Sequence, residues 1–189
     1  MSYRYCDKFG QASLTFNGRI DVPNAPVMAI CCEMIEGMPT IPFGGSPESI
    51  LQNFIGLCSL IDNECRTIMD DKQRVYTAGC MGCKNFIETD EAPSKWDGLI
   101  HSVNISSYPA PCQSHCFYCW VHDWDERFTP QARAGYEKMI GVINLAEKVG
   151  LINSSVKYQV SSGEIAVHPY RMELLKLVKG KPCRFVLIV

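Results

Sequence analysis

Three closely spaced cysteines are the residues of this sequence best suited to chemistry. The segment PCQSHCFYCW contains Cys112, Cys116 and Cys119. Three thiolates in one loop can bind three irons of a [4Fe–4S] cubane and leave the fourth iron without a protein ligand. An open coordination position on a redox-active metal is a place where a small molecule can be bound and reduced. The motif therefore predicts a cluster with one exchangeable position.

A structural zinc site is the alternative for the same cysteines. Zinc also takes thiolate and imidazole ligands, and His115 or His122 could supply the fourth one. Zinc sites usually combine CxxC pairs from two separate segments, whereas here three ligands are crowded into one loop. The spacing favours the iron–sulfur cluster, and zinc stays open as the alternative.

A second group of cysteines lies in the first half of the chain. Cys80 and Cys83 form a CxxC unit in the glycine-flanked turn TAGCMGCKNF, a spacing typical of metal-binding turns. Further ligands are needed, and Cys6, Cys31 and Cys32 are available. Zinc and a second [4Fe–4S] cluster are both open here; the cluster is favoured because the chain must already receive iron and sulfide. Three other cysteines are expected to pack in the core: Cys58, Cys65 and Cys183.

The elements around the three-cysteine motif alternate between strand and helix. LIHSVNI (99–105) predicts a strand before the motif, and Thr129 followed by a proline predicts a helix N-terminus after it. VKYQV (156–160) predicts a second strand, followed by a helix over 169–179 and a third strand over 184–189. Strands separated by helices imply an α/β fold with a parallel sheet. The buried stripe of the first helix is predicted to contain Tyr136, Met139, Ile140, Ile143 and Val149.

Residues 1–90 are predicted to form a separate, cysteine-rich α+β module. Asn17-Gly18 between SLTF and RIDV predicts a tight β-hairpin, because a type I′ turn needs positive φ at both central residues. VMAICC (27–32) predicts a short strand, and Ser46 as N-cap predicts a helix to about Asp70. The segment TDEAPSKWDG is the expected linker to the second unit, residues 99–189.

The residues after the second predicted strand complete a resemblance to a known family. Ser162-Gly163-Glu164 combines small residues, which let a ligand approach the backbone, with a carboxylate that can accept hydrogen bonds from an α-ammonium group. Together with CxxxCxxC and the aromatic Tyr118 before its third cysteine, this segment resembles the radical S-adenosylmethionine (radical SAM) enzyme family. Ser162 stands where the family's motif has glycine. The resemblance covers residues 99–189.

This resemblance implies a mechanism. S-adenosylmethionine would bind the open iron with its amine on Glu164 and its adenine near Tyr118. One electron would then cleave it to methionine and a 5′-deoxyadenosyl radical, which removes a hydrogen atom from a substrate. Family members receive electrons from donors such as flavodoxin or ferredoxin. His168 is expected to begin the next helix rather than to take part in catalysis.

The resemblance also implies an architecture. Residues 99–189 correspond to the first half of the family's parallel (β/α) barrel, so the expected fold is an incomplete, truncated barrel. The N-terminal module resembles the SPASM or twitch modules that hold auxiliary clusters, although these usually follow the barrel. Because such modules occur in enzymes that act on peptides or proteins, a peptide or protein substrate is expected by analogy.

Composition narrows the class of protein further. The 189-residue chain has a formal charge of −2 and a pI near 6.1, with scattered Lys and Arg, so nucleic acid is not an expected partner. It has no apolar run of the roughly 20 residues that span a bilayer, and its N-terminus does not resemble a signal peptide. Eleven cysteines then favour metal binding in a reducing cytosol over disulfides. Two other classes stay open: an iron–sulfur electron-transfer or cluster-binding module, and a zinc-stabilised interaction protein.

Overall fold

The structure is a computed structural model that describes residues 2–6, 12–16, 26–28, 39–106, 129–161 and 167–185. Within these ranges lie eight strands and three α-helices, in the order β1 (Tyr3–Cys6), β2 (Ser13–Phe16), β3 (Pro26–Met28), β4 (Thr40–Pro42), α1 (Pro47–Cys65), β5 (Phe86–Thr89), β6 (Ile100–Ser106), α2 (Pro130–Lys148), β7 (Ile152–Ser161), α3 (Arg171–Val178) and β8 (Cys183–Phe185). A short 3₁₀ helix, Ala78–Cys80, precedes β5.

Six of these strands form one mixed sheet in the order β4-β3-β2-β6-β7-β8. β2, β6, β7 and β8 run parallel, while β3 and β4 are antiparallel to their neighbours. Along the chain, α2 lies between β6 and β7 and α3 lies between β7 and β8, which is the connection that parallel neighbours require. The predicted α/β class and its parallel strands are therefore confirmed. Among the described strands the sheet is open, with β4 and β8 at its edges.

Strands from both sides of the predicted linker belong to this sheet. β2 pairs in parallel with β6, from Ser13 opposite Ser102 to Phe16 opposite Ile105. The sheet therefore gains three strands from the first 42 residues, beyond the three predicted for the second half of the chain. This addition enlarges the core that three parallel strands alone could build.

The strand pairing predicted by a tight hairpin at Asn17-Gly18 is wrong for β2, the strand before the turn. A two-residue turn there would pair Thr15 with Ile20, but Thr15 pairs with Met28 on one edge of β2 and with Asn104 on the other. A strand has two hydrogen-bonding edges, and more distant partners occupy both at this point. The turn residues themselves lie outside the described residues.

The first helix begins where the sequence predicts. The Ser49 N–H donates to Ser46 Oγ at 3.3 Å, and Pro47 is the first helical residue. The helix ends at Cys65, short of the predicted Asp70, whose carboxylate instead accepts the N–H groups of a following turn. The sequence places six apolar residues on one face of this helix; Ile55 is partly buried, and the other five are buried: Ile50, Leu51, Phe54, Cys58 and Ile61.

The second helix is also confirmed at its start. Thr129 Oγ1 accepts the Ala132 N–H at 3.1 Å, with a proline at the first helical position. Its predicted stripe is buried at Tyr136, Met139 and Ile143 and partly buried at Ile140. Val149 is 55% exposed and was wrongly assigned to this stripe, because the helix ends at Lys148 and Gly150, with φ +75°, turns the chain away.

The hydrophobic core lies on one face of the main sheet. Alternate strand residues line it: Leu14, Phe16, Val103, Ile105, Tyr158 and Val160. All three helices contribute apolar side chains to the same cluster. Burial of this surface is the main contribution to stability. None of the helices in the described part of the chain combines the length and apolar character needed to cross a bilayer.

Candidate metal and cosubstrate sites

Two predicted motifs follow neighbouring strands of the main sheet. β6 ends at Ser106, six residues before Cys112, and β7 ends at Ser161, directly before Ser162. Ser106 and Ser161 are partners in the parallel pairing of β6 with β7. Because neighbouring strands lie about 4.8 Å apart, the two motif segments begin from adjacent points at the carboxyl edge of the sheet.

The motif residues themselves lie outside the described residues: Cys112, Cys116, Tyr118, Cys119, Ser162, Gly163 and Glu164. Their ligand roles stay predictions.

Polar side chains cover the face of the sheet opposite the core. The parallel register aligns two rows across β2, β6 and β7: Ser13, Ser102 and Lys157 in one, and Thr15, Asn104 and Gln159 in the other. Successive strand residues point to opposite faces, so these alternate with the core residues. Parallel sheets usually have two apolar faces covered by helices. A polar face on this one is instead suited to bind a polar ligand.

Hydrogen bonds order part of this polar face. The Asn104 amide donates from Nδ2 to Ser13 Oγ at 2.9 Å and to Thr15 Oγ1 at 3.0 Å. The two hydroxyl groups are 3.1 Å apart and lie on residues that are only 3% and 5% exposed. These contacts hold the amide in one orientation, which is the preorganisation that ligand binding needs.

His168 lies just before the last helix, which begins at Arg171 with Tyr170 as its N-cap and not at His168 as predicted. His168 is fully buried, and its carbonyl accepts the N–H of Arg171, the first residue of α3, at 3.0 Å. Its Nδ1 accepts the Tyr170 N–H at 3.0 Å. Its ring packs edge-on against the Tyr136 ring, with 4.5 Å between the two ring centroids. These contacts give His168 a structural role at the helix start.

Of the five predicted N-terminal ligands, the structure describes Cys6, Cys80 and Cys83, while Cys31 and Cys32 lie outside the described residues. Across the ranges that are described, no three His, Cys, Asp or Glu side chains form a metal-binding group. The described members of the predicted set, Cys6, Cys80 and Cys83, are therefore not brought together as a three-ligand group.

The CxxC turn lies at the same end of a small sheet as Cys6. β1 and β5 form an antiparallel pair in which Cys6 is opposite Phe86. The Phe86 N–H donates to the Cys83 carbonyl at 3.0 Å, and the Cys83 N–H donates to the Cys80 carbonyl at 2.8 Å. The Asn85 N–H points at Cys83 Sγ from 3.5 Å.

The cysteines predicted to lie in the core do so. Cys58 and Cys65 are 0% and 2% exposed, and the half-buried Cys183 packs against the core. Burial raises the pKa of Cys65 to about 12, although the Cys6 N–H donates to its sulfur and the Arg74 charge is close by. Cys65 is thus also a neighbour of the predicted N-terminal ligand set, which the sequence did not indicate.

A buried carboxylate ties the CxxC turn to the end of α1. Glu64 is 5% exposed and accepts the N–H groups of Val75, Tyr76 and Thr77 at 2.9, 3.0 and 2.8 Å, and the Thr77 hydroxyl at 2.5 Å. Burial alone would raise the pKa of Glu64, but these hydrogen bonds together hold it below its ordinary value. The Cys80 N–H in turn donates to the Thr77 carbonyl at 2.9 Å.

Sequence reasoning missed the polar sheet face and the buried charges near Cys65. The sequence did contain a signal for the polar face, because SLTF and HSVNI alternate polar and apolar residues, whereas parallel strands are usually continuously apolar. The sequence contained no signal for the burial of Glu64 and Arg74, since isolated charged residues are normally solvated.

Comparison of the chain with known protein families, with curated proteins and with solved structures yields no significant match.

Proposed function

We propose that this chain is a radical SAM protein, in which Cys112, Cys116 and Cys119 hold a [4Fe–4S] cluster and S-adenosylmethionine binds at the fourth iron. The donor set suits this group, because three thiolates in one loop leave one iron of a cubane without a protein ligand. When reduced, such a cluster supplies the electron that breaks the C5′–S bond of S-adenosylmethionine, giving methionine and a 5′-deoxyadenosyl radical that takes a hydrogen atom from a substrate.

The pairing of Ser106 with Ser161 is the observation that carries this proposal. It brings Ser106, six residues before Cys112, next to Ser161, which directly precedes Ser162, at one edge of a parallel sheet. In open α/β sheets, ligands bind outside the carboxyl ends of the strands. A cluster and its cosubstrate need two such segments side by side, one rich in thiolates and the other with a carboxylate.

Different residues of the chain would then bind different parts of S-adenosylmethionine. Glu164 accepts hydrogen bonds from the methionyl amine, while Ser162 and Gly163 let the backbone come close to the ligand. Tyr118 lies on the adenine side and helps to exclude water. Each of these roles follows from the side chain's chemistry and from its position in the motif.

The one-sided polarity of the sheet supports the proposal of a partial (β/α) barrel. In such a barrel the helices cover the outer face of the sheet, and ligands bind at the carboxyl ends of the strands. Here α1, α2 and α3 share one core face, and Thr15, Asn104 and Gln159 lie on the other. The substrate would bind at the carboxyl end of this polar face.

The proposal extends to a second metal centre near the N-terminus. Cys6, Cys80 and Cys83, with Cys31 or Cys32, would hold zinc or an auxiliary [4Fe–4S] cluster. The Asn85 N–H directed at Cys83 Sγ is a donor that could also support a metal-bound sulfur in this turn. Reduced flavodoxin or ferredoxin would supply electrons in the cytosol, and the substrate would be a peptide or protein.

The test begins with anaerobic purification of the chain and reconstitution with iron and sulfide. The dithionite-reduced protein is examined by EPR with and without S-adenosylmethionine, and 5′-deoxyadenosine is then measured by mass spectrometry. We expect a [4Fe–4S]⁺ signal that shifts on addition of S-adenosylmethionine. The triple variant Cys112→Ala, Cys116→Ala, Cys119→Ala should lose this shift and form no 5′-deoxyadenosine.

Two results would contradict the proposal. A cluster signal that does not respond to S-adenosylmethionine would indicate an electron-transfer or cluster-binding module. Tightly bound zinc without any cluster would indicate a zinc-stabilised interaction protein.

A further inference from the structure

The polar face of the main sheet is accessible near its centre. Asn104 on β6 and Gln159 on β7 belong to inner strands of the six-stranded sheet, yet both are only partly buried. Helices usually cover both faces of parallel strands, but all three α-helices that the structure describes pack on the opposite face. The side chains of these two residues are therefore accessible to a ligand.

The Asn104 carboxamide is held in one orientation, with its oxygen available. Its Nδ2 donates to Ser13 Oγ at 2.9 Å and to Thr15 Oγ1 at 3.0 Å, which uses both N–H bonds of the amide. The two hydroxyl groups belong to buried residues of β2 and are 3.1 Å apart. Oδ1 accepts no hydrogen bond from any residue in the described ranges. Asn104 thus offers a ligand one preorganised acceptor.

Gln159 places a second carboxamide beside the first. It is the partner of Asn104 in the parallel pairing, so both side chains lie on the same face of neighbouring strands about 4.8 Å apart. The Gln159 side chain makes no hydrogen bond to the described part of the chain, which leaves it with two donor N–H bonds and one acceptor oxygen. A peptide group has one N–H and one C=O. Asn104 Oδ1 can accept the first while Gln159 Nε2 donates to the second.

Lys157 adds a positive charge to the same face. Its side chain is exposed, and it lies two residues before Gln159 on β7, so that their Cα atoms are about 6.6 Å apart. Alternate residues of an extended peptide have the same spacing. No ion pair joins Lys157 to a residue that the structure describes. A peptide bound along β7 through its backbone can therefore bring an acidic side chain to Lys157.

We propose that Asn104, Gln159 and Lys157 form a binding surface for an acidic peptide, in which the two carboxamides bind one peptide group and Lys157 pairs with a carboxylate side chain of the ligand. Charge complementarity selects an acidic ligand, and the paired carboxamides select one with an N–H and a C=O together. Ser106 and Ser161 lie two residues further along the same strands, at the carboxyl edge of the sheet. That this peptide is the substrate rests on the proposed radical chemistry, whereas its binding does not.

The test titrates the full chain with the blocked tripeptide acetyl-Ala-Glu-Ala-amide and follows the amide signals of the protein by NMR. We expect the side-chain amide signals of Asn104 and Gln159 to shift. Gln159→Leu keeps the side-chain hydrogen bonds of the described fold and should raise the Kd of the peptide about three- to tenfold, the effect of one lost hydrogen bond. Gln52→Leu, at an exposed position of α1, is the matched control and should leave the Kd unchanged.

Two changes to the peptide separate the contribution of its backbone from that of its charge. Replacing its amide N–H groups by ester oxygens, one at a time, should weaken binding about three- to tenfold at one position, because Asn104 Oδ1 then meets no donor. Replacing Glu by Gln in the peptide should weaken its binding to the natural chain about two- to fivefold. The Lys157→Met variant should bind the Glu and Gln peptides equally.

Three results would overturn this inference. Equal Kd values for the natural chain and Gln159→Leu, or signal shifts confined to other residues, would show that the peptide does not bind at this face. Equal binding of the Glu and Gln peptides by the natural chain would contradict the acidic class of ligand. A natural chain that binds no peptide but self-associates, with Gln159→Leu monomeric, would assign the face to a second copy of the chain.

Failure of this inference is distinguishable from failure of the proposed function. The EPR response to S-adenosylmethionine tests the radical chemistry without any peptide. Peptide binding without that response would leave the binding surface in place and remove only its role in binding a substrate.

Discussion

The side-chain amide of Asn104 donates a 3.0 Å hydrogen bond to the hydroxyl of Thr15, joining β6 to β2 across the polar face of the main sheet. This bond links the strand that precedes the three-cysteine segment to a strand from the first sixteen residues. The N-terminal segment thus contributes two hydroxyl groups to the polar face of the sheet.

The two faces of β6 should respond differently to substitution. Val103 is fully buried in the core, whereas its neighbour Asn104 lies on the polar face. Val103→Asn should lower the free energy of unfolding by about 3 kcal/mol or more, because it buries an unpaired amide among apolar side chains. Asn104→Val should lower it by about 1 to 2 kcal/mol, the loss of two hydrogen bonds. Urea unfolding followed by circular dichroism measures both; equal losses would contradict a one-sided sheet.

Removal of the Glu164 carboxylate should weaken cosubstrate binding and leave the cluster in place. Hydrogen bonds to a charged group contribute about 1.5 to 3 kcal/mol, so Glu164→Ala should raise the Kd for S-adenosylmethionine at least about tenfold. Anaerobic equilibrium dialysis gives the affinity, and iron content with the EPR signal reports the cluster. Glu91→Ala, at an exposed position, is the control. Unchanged affinity in the Glu164 variant would remove this residue from the site.

Glu64 should stabilise the fold at neutral pH and lose this effect in acid. Its folded-state pKa lies below the ordinary value of 4.5, so the unfolded chain takes up its proton first as the pH falls. The stabilisation is complete above the unfolded-state pKa and is lost as the pH falls through the folded-state pKa. Glu64→Gln should lower the free energy of unfolding at pH 7 by about 1 to 3 kcal/mol.

The pH dependence provides the check on Glu64. Urea unfolding of the natural chain and of Glu64→Gln should give free energies that differ most near neutral pH and converge below about pH 4. Glu91→Gln should show no such convergence, because its side chain is exposed. A difference between the natural chain and Glu64→Gln that stays constant with pH would mean that the charge of Glu64 plays no part.

The N-cap of α2 should make a measurable contribution to stability. Thr129 Oγ1 accepts the Ala132 N–H at the start of the helix that follows the three-cysteine segment. Thr129→Ala should lower the free energy of unfolding by about 1 kcal/mol. Thr67→Ala is the matched control, because that exposed hydroxyl only donates to a carbonyl, and its effect should stay within about 0.5 kcal/mol. Equal effects of the two variants would contradict the capping role.

Local features of the chain were predictable, and long-range ones were not. Ser46 and Thr129 cap their helices as expected, because capping depends on hydrogen bonds within three residues. The hairpin predicted at Asn17-Gly18 gave the wrong pairing partner for Thr15. A local turn signal could not reveal that Met28 and Asn104 occupy both edges of β2. For the candidate site, residue spacing indicated the cysteine motifs. The burial of Glu64 and Arg74 depends instead on the residues that pack around them.

The sequence by itself determined the starts of α1 and α2 and the strand–helix alternation. These follow from side-chain chemistry and from periods that act over a few positions. Tertiary structure alone decided that β2 pairs with β6, that Ser106 and Ser161 are neighbours, and that the Arg74 side chain is buried. Backbone donors and acceptors are alike at nearly every residue, so strand order and the burial of a charge are selected by the packing of the whole core.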